Sequence, residues 1–159
     1  MEKYKFENAS MKEMNEIVRI YNSNPIFLWN HLGVEAVTGD FIINEMTQMK
    51  ETGFDTLLIK NNRNEVIGFC DIKMNEETYL SLIMLDHTFH GMGHGKEVLF
   101  QLESMLIERH TKQIRIDVVD DYKENVVGFW KKQGYEEVET VKLQWNGYDS
   151  NAIKMYKTL

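Results

Sequence analysis

A single cysteine, Cys70, and a single proline, Pro25, stand in a chain of 159 residues. One thiol closes no internal disulfide, so the fold must be held by its own core, as a reducing compartment requires. No stretch approaches the roughly 18 apolar residues of a membrane span, and the opening MEKYKFENAS has no apolar centre of the kind a leader carries. The expectation is a soluble, cytoplasmic protein with no membrane partner. Basic side chains are the minority, 18 against 25 acidic for a net charge of -7, and Lys and Arg form no run. That balance argues against nucleic acid as a partner and admits a cationic substrate. What is present is ordinary for a globular chain: 43% apolar and 11% aromatic residues. A chain of about 150 residues buries roughly 68–70% of its unfolded surface as one unit, and with no repeat or low-complexity tract, residues 1–159 read as a single domain.

The pattern along the chain predicts a mixed sheet. An alternating stretch from Lys3 to Glu7 precedes a helix over 11–22, capped by Ser10, with Met14, Ile17, Val18 and Tyr21 at helical spacing. The segment Asn22-Ser23-Asn24-Pro25 reads as a turn, and a second helix over 40–51 carries Phe41, Ile42, Met46 and Met49 and stops at Gly53. Thr56 to Lys60 and Glu65 to Met74 form a hairpin about Asn61-Asn62-Arg63-Asn64, and Thr78 to Leu85 is the next strand. A helix over 96–110, with Val98, Leu99, Leu102, Met105 and Leu106 on one face, leads to the strand Gln113 to Val119. A strand, a crossover helix and a strand give parallel pairing, so 78–85 and 113–119 should lie side by side. A helix over 122–133 ends at Gly134, and strands Tyr135 to Trp145 and Asn151 to Tyr156 flank the turn signal Asn146-Gly147. This is an α/β fold with helices on both faces of a mixed sheet, and its ligand crevice belongs where the central strands end.

Leu85-Asp86-His87-Thr88-Phe89-His90-Gly91-Met92-Gly93-His94-Gly95-Lys96 is a strand end, alternating glycines and a helix start. Such a loop turns its N–H groups inward beside the positive end of a helix, which makes an anion cradle. Two phosphate loops fail on it: the dinucleotide pattern needs glycine where Lys96 stands, and the Walker pattern needs glycine at His90 and Ser or Thr at Glu97. The loop resembles that of the GCN5-related N-acetyltransferases, Gln/Arg-x-x-Gly-x-Gly/Ala, matched as His90-x-x-Gly93-x-Gly95 with His90 in place of Gln or Arg. A second stretch, Asn125-Val126-Val127-Gly128-Phe129-Trp130-Lys131-Lys132-Gln133-Gly134-Tyr135, resembles that family's Asn-x-x-Ala-x-x-Phe-Tyr-x-x-x-Gly-Phe, with Asn125 one position nearer the aromatic pair than the pattern has it.

The resemblance implies a GNAT-like fold with splayed central parallel strands, acetyl-coenzyme A as co-substrate and an amine, small or peptide-borne, as acceptor. The pantetheine arm would pair with Ile83-Met84-Leu85, and the pyrophosphate would meet His90, Gly91, Met92, Gly93, His94, Gly95 and Lys96. Asn125, Phe129 and Trp130 would line the arm, with Lys131 or Lys132 at the outer phosphate, and a homodimer is possible among such proteins. The main-chain N–H of Met84 or Leu85 is the implied oxyanion donor. Trp130 replaces the tyrosine that often protonates the leaving thiolate, and an indole is no acid near neutral pH. Tyr122 and Tyr135 are the nearby alternatives. Asp86, His87, Glu76 and Glu77 are candidate bases, of which His87 has the intrinsic pKa best suited to the task. His87, His90 and His94 crowd one loop, but the intervening glycines disfavour the helix that would gather them, so no metal is expected. Cys70, in an alternating apolar strand, reads as a packed thiol. The acceptor should lie near Phe27, Leu28, Trp29, Asn30 and His31, where aromatic rings can receive a cation. A non-catalytic coenzyme A module and, more remotely, a nucleotide-binding domain are the competing functions.

Overall fold

The computed structural model describes residues 2–159. Its elements run β1 (Lys5–Asn8), α1 (Met14–Asn22), α2 (Pro25–Leu32), α3 (Gly39–Glu51), β2 (Asp55–Lys60), β3 (Val66–Lys73), β4 (Glu77–Leu85), α4 (His94–Glu108), β5 (Gln113–Val119), α5 (Val127–Lys132), β6 (Glu136–Trp145) and β7 (Tyr148–Thr158). One seven-stranded sheet has the order β1-β2-β3-β4-β5-β7-β6. Every neighbouring pair is antiparallel except β4 and β5. The parallel pair anticipated from the strand-helix-strand order is therefore present at the centre.

Ser10 caps a 3-10 turn, Met11–Glu13, that runs into α1: its hydroxyl accepts from the Lys12 N–H while the Glu13 carboxylate accepts from the Ser10 N–H. The turn expected at Pro25 is confined to residues 23–24, and the chain then enters α2. Proline at the first helical position gives up an N–H that would be unpaired anyway, and Leu28 and Leu32, one helical turn apart, are both buried. The helix expected over 122–133 is shortened to α5. Asn125 takes the Val127 N–H on Oδ1 and donates Nδ2 to the Tyr122 carbonyl, so local side-chain bonds replace the first helical turns. The last hairpin closes through Asn146 and Gly147, both at positive φ, and β7 is longer than expected because β6 pairs with it over residues 148–156 and β5 over 152–158.

The sheet separates two cores. On one face α4 and α5 cover Cys70, Ile72, Leu80, Ile114, Ile116 and Met155. On the other, α1, α2 and α3 cover Leu58, Phe69 and Met84. Cys70 is fully buried and its thiol is pushed up by burial, as a packed thiol should be. No helix among the described residues is long and apolar enough to cross a membrane.

Candidate active site

The site begins with a break in the sheet. β4 and β5 pair only at Glu77↔Gln113, Thr78↔Ile114 and Tyr79↔Arg115. Just beyond, Asp71 faces Leu82 while Ile72 faces Leu80, so Ser81 is an extra residue on β4. A bulge bends its strand and increases its twist, and here it turns β4 away from β5. The Asp86 N–H donates to the Ile67 carbonyl at 2.7 Å, which fixes the phase of the β3-β4 ladder. Alternation then points the main-chain groups of Met84 toward β3 and those of Ile83 and Leu85 toward the open edge. Of the two expected oxyanion donors, Leu85 has its N–H on that edge and Met84 does not. The Leu85 carbonyl accepts from Asn24 Nδ2 at 2.9 Å and from His90 Nε2 at 3.1 Å.

The glycine loop follows directly. Asp86 caps a short 3-10 turn, His87–Phe89, by accepting from the Thr88 N–H and hydroxyl. Gly91 and Gly93 then take positive φ, and Gly93 is the N-cap of the 15-residue helix α4. Among the described residues, nothing accepts a hydrogen bond from the N–H groups of residues 91–96. Six unpaired amides at the positive end of a long helix fit a phosphate group. The second sequence motif arrives at the same place: a Cβ built on Gly95 would lie 3.8 Å from the Phe129 ring. Chain positions 95 and 129 thus meet at the head of α4, and Phe129 packs edge-on to Trp130 at 5.3 Å.

Several expected site residues are placed differently. Tyr135 is 2% exposed, and its hydroxyl donates to Glu103 at 2.9 Å, which with burial raises its pKa. That proton is already held by a carboxylate, so Tyr135 is corrected from candidate acid to core residue. Asn125 has both side-chain groups engaged within its own loop and is not free to reach a cofactor arm. Trp130 is buried against Tyr135 and Phe129. Asp86 is 5% exposed; burial raises its pKa, but the Thr88 bonds and Arg19 outweigh it and hold the carboxyl below its usual value. It is a cap and an ion-pair partner rather than a base. Glu76 and Glu77 sit at the closed end of β4, and Glu77 is roughly 25 Å of strand from Leu85 at about 3.3 Å per residue. His87 is exposed, with its main-chain N–H on Ser23 Oγ and its ring 4.9 Å from that of His90. His94 turns the other way: its Nδ1 lies 2.9 Å from the Tyr4 hydroxyl, which donates to Glu97. No group of three His, Cys, Asp or Glu is gathered for a metal ion among the described residues. Lys131 is paired with Glu137 at 2.7 Å, and Lys96 and Lys132 are exposed.

The expected acceptor cluster lies on α2, where Phe27 stacks on His31 at 3.8 Å and His31 meets Tyr122 edge-on at 5.6 Å. Burial lowers the His31 pKa and raises that of Tyr122. Trp29 itself is 59% exposed and belongs to the outer face of α2. Sequence reasoning missed the residues that join this cluster to the sheet. Trp145, at the tip of the last hairpin, lies 6.1 Å from Phe27 and 6.3 Å from Tyr21, and Tyr21 stacks on Phe69 at 5.2 Å. The Trp145 indole donates to Glu45 on α3. Asp71 on β3 and Asn24 at the head of α2 were missed too. Asp71 interrupts the apolar run Val66–Cys70 with an acid, a signal available in the sequence; nothing local marks the others.

The fold defined by these features is that of an acetyltransferase. Residues 30–159 match the model of the acetyltransferase (GNAT) domain, and the chain belongs to that family. It is an N-acetyltransferase in class, which sets aside the nucleotide-binding reading. No curated protein matches it. Among solved structures it is similar to an acetyltransferase from Thermus thermophilus, at 16% identity over 99% of this chain and 98% of that one, with a TM-score of 0.78. A ribosomal-protein-alanine N-acetyltransferase from Brucella melitensis shares 18% identity over 98% and 99% of the two chains, TM-score 0.67. The PaiA N-acetyltransferase from Thermoplasma acidophilum, in complex with coenzyme A, shares 17% over 99% and 100%, TM-score 0.64.

Proposed function

We propose that the chain transfers an acetyl group from acetyl-coenzyme A to a primary amine by direct attack. The observation that carries this is the set of unpaired amides of residues 91–96, placed at the end of a strand whose open edge has no partner beyond Tyr79. Bound there, the co-substrate supplies the activated thioester. The amides of residues 91–96 hold its pyrophosphate, Ile83 pairs with its arm as an added strand would, and Phe129 covers the arm beside Gly95. The Leu85 N–H, turned to the open edge, stabilises developing negative charge on a carbonyl oxygen. His90 donates to the Leu85 carbonyl and so stiffens this end of β4 rather than facing the anion. His87, exposed at the mouth of the loop, is the group placed to take a proton from an incoming ammonium, and with Trp130 and Tyr135 in the core, solvent returns one to the thiolate.

A thermal-shift titration with coenzyme A, acetyl-coenzyme A and ATP tests the reading, because a ligand that binds only the folded state raises its apparent stability. A rise for both coenzyme A species, with none for ATP, is expected, together with thiol release when an amine is added. No rise with either coenzyme A species overturns it.

A further inference from the structure

Of the 5 histidines, His87, His90 and His110 are exposed, and His94 is bound to Tyr4. His31 differs from all of them: it is half-buried, and its two nitrogens are unlike. Nδ1 lies 2.9 Å from the Phe27 carbonyl oxygen, which can only accept, so Nδ1 carries the proton and Nε2 the lone pair. Nε2 has no hydrogen-bond partner among the described residues. No side-chain nitrogen among them is both enclosed and unpartnered, so Nε2 reaches open space. Stacking on Phe27 at 3.8 Å and the Tyr122 edge at 5.6 Å hold the ring in this orientation.

The helix that carries His31 crosses the opening in the sheet. Asn24, Phe27 and His31 stand at i, i+3 and i+7, which is one face of α2 and its cap. The two ends of that stripe touch different strands: Asn24 donates to the Leu85 carbonyl at the end of β4, and His31 meets Tyr122 just past the end of β5. Seven residues of helix rise roughly 10 Å, about twice the ordinary spacing of neighbouring strands. The stripe therefore spans β4 and β5 where they have parted, with the His31 lone pair on the β5 side of the mouth. The surroundings suit a base that is a cation only briefly. Burial lowers the His31 pKa, with the Phe27 bond and Asp121 opposing, so the ring is neutral near pH 7. The Asp121 carboxylate is fixed by the Asn151 N–H at 2.8 Å, and with the Phe27 ring face it favours an imidazolium once one forms. The other titratable neighbours are Tyr122 and, packed against Gly33, Tyr148 of β7; α2 has none besides His31.

We infer that His31 is the base of the bond-forming step, its Nε2 taking a proton from the acceptor nitrogen as that nitrogen attacks. His87, at the mouth of the glycine loop, receives the proton of the arriving ammonium, and His31 takes the second. The C–N bond forms at the thioester carbon, one N–H proton passes to Nε2, and the C–S bond breaks with its electron pair on sulfur. Solvent then protonates the thiolate and removes the proton from His31. This rests on the acetyltransferase reading, but the tautomer and neutrality of His31 are properties of the free protein.

Two measurements test it. Nitrogen-15 NMR of the free protein should show His31 as the Nδ1–H tautomer, with a midpoint below the ordinary histidine value of about 6.5. For turnover, thiol release from acetyl-coenzyme A is followed with phenethylamine, spermidine and Nα-acetyl-lysinamide, and the fastest of the three is the probe. The base must be unprotonated, so the wild-type kcat should fall as pH drops through the His31 midpoint. His31→Asn keeps an N–H for the Phe27 carbonyl and should lower kcat by about tenfold or more. Its KM for the amine and its coenzyme A thermal shift should stay near wild-type values, and the acid limb of its kcat profile should vanish, which a packing defect would not produce. An Nε2–H tautomer, a kcat within about tenfold of wild type in folded His31→Asn, or an acid limb that survives in the variant would overturn the inference. So would a wild type that shows the coenzyme A shift and turns over none of the three amines. A missing coenzyme A shift would instead sink the transferase reading itself.

Discussion

Replacing Asp71 by Asn should make the protein more stable at neutral pH, not less. Burial, with Glu45 adding repulsion and the Thr56 bond partly opposing, moves the Asp71 midpoint from 3.8 to about 6. At about 1.36 kcal/mol per tenfold change in proton affinity, holding that carboxylate ionised at pH 7 costs the folded state about 3 kcal/mol. Asn keeps an oxygen for the Thr56 hydroxyl, as the protonated acid would, and the loss of the stronger bond to the carboxylate is already contained in the shifted midpoint. The gain is therefore about 3 kcal/mol, or about 6–12 °C in Tm for a chain of this size. The sign follows from linkage: below pH 3.8 the group is protonated in both states and the gain vanishes. Between pH 4 and 6 the wild type loses stability relative to the variant, and above the folded midpoint the gap is constant. Paired urea denaturations of wild type and Asp71→Asn from pH 4 to 8 read this difference directly, with other groups cancelling. A variant less stable than wild type at pH 7, or a gap independent of pH, would refute the reasoning.

Gly93→Val should abolish the coenzyme A thermal shift with little change in fold, because Gly93 holds φ +80 and a side chain there meets open space rather than core, so the loop distorts locally. Tyr135→Phe should cost about 1 kcal/mol in denaturant titrations by removing the bond to Glu103, and should leave the thiol-release rate unchanged; a large loss of rate would restore Tyr135 as the acid. Gly68→Ala should destabilise by about 1–3 kcal/mol, because a Cβ at Gly68 would stand 2.5 Å from the Met84 carbonyl oxygen and 2.7 Å from the Leu85 side chain. A Tm within 1 °C of wild type would show that β3 and β4 are less rigidly apposed than this.

The coenzyme loop is legible from local patterns alone. Alternating glycines at 91, 93 and 95 ahead of an amphipathic helix state a local requirement, unpaired amides at a helix start, and β4-α4-β5 states a parallel crossover. Apolar periodicity assigns Val98, Leu99, Leu102 and Leu106 to the core, where they are. Spacing misleads where side chains bond to nearby backbone or to distant partners. Asn125 undoes the first turns of the expected helix, and Tyr135 spends its proton on Glu103, 32 positions away. The cluster under the last hairpin is the least legible, since Tyr21, Glu45, Asp71 and Trp145 come from four elements and adjoin only because β3 lies under α1 and α3 and the last hairpin folds back over them. By itself the sequence determined every strand, the helices other than α2 and the start of α5, and which loop can hold an anion, because those depend on residues within one turn or one strand of each other. Only the tertiary structure decided which strands part at Ser81, which hydroxyls and carboxylates are already paired, and which buried acid is left without a cation, because each of these depends on contacts between residues far apart in the chain.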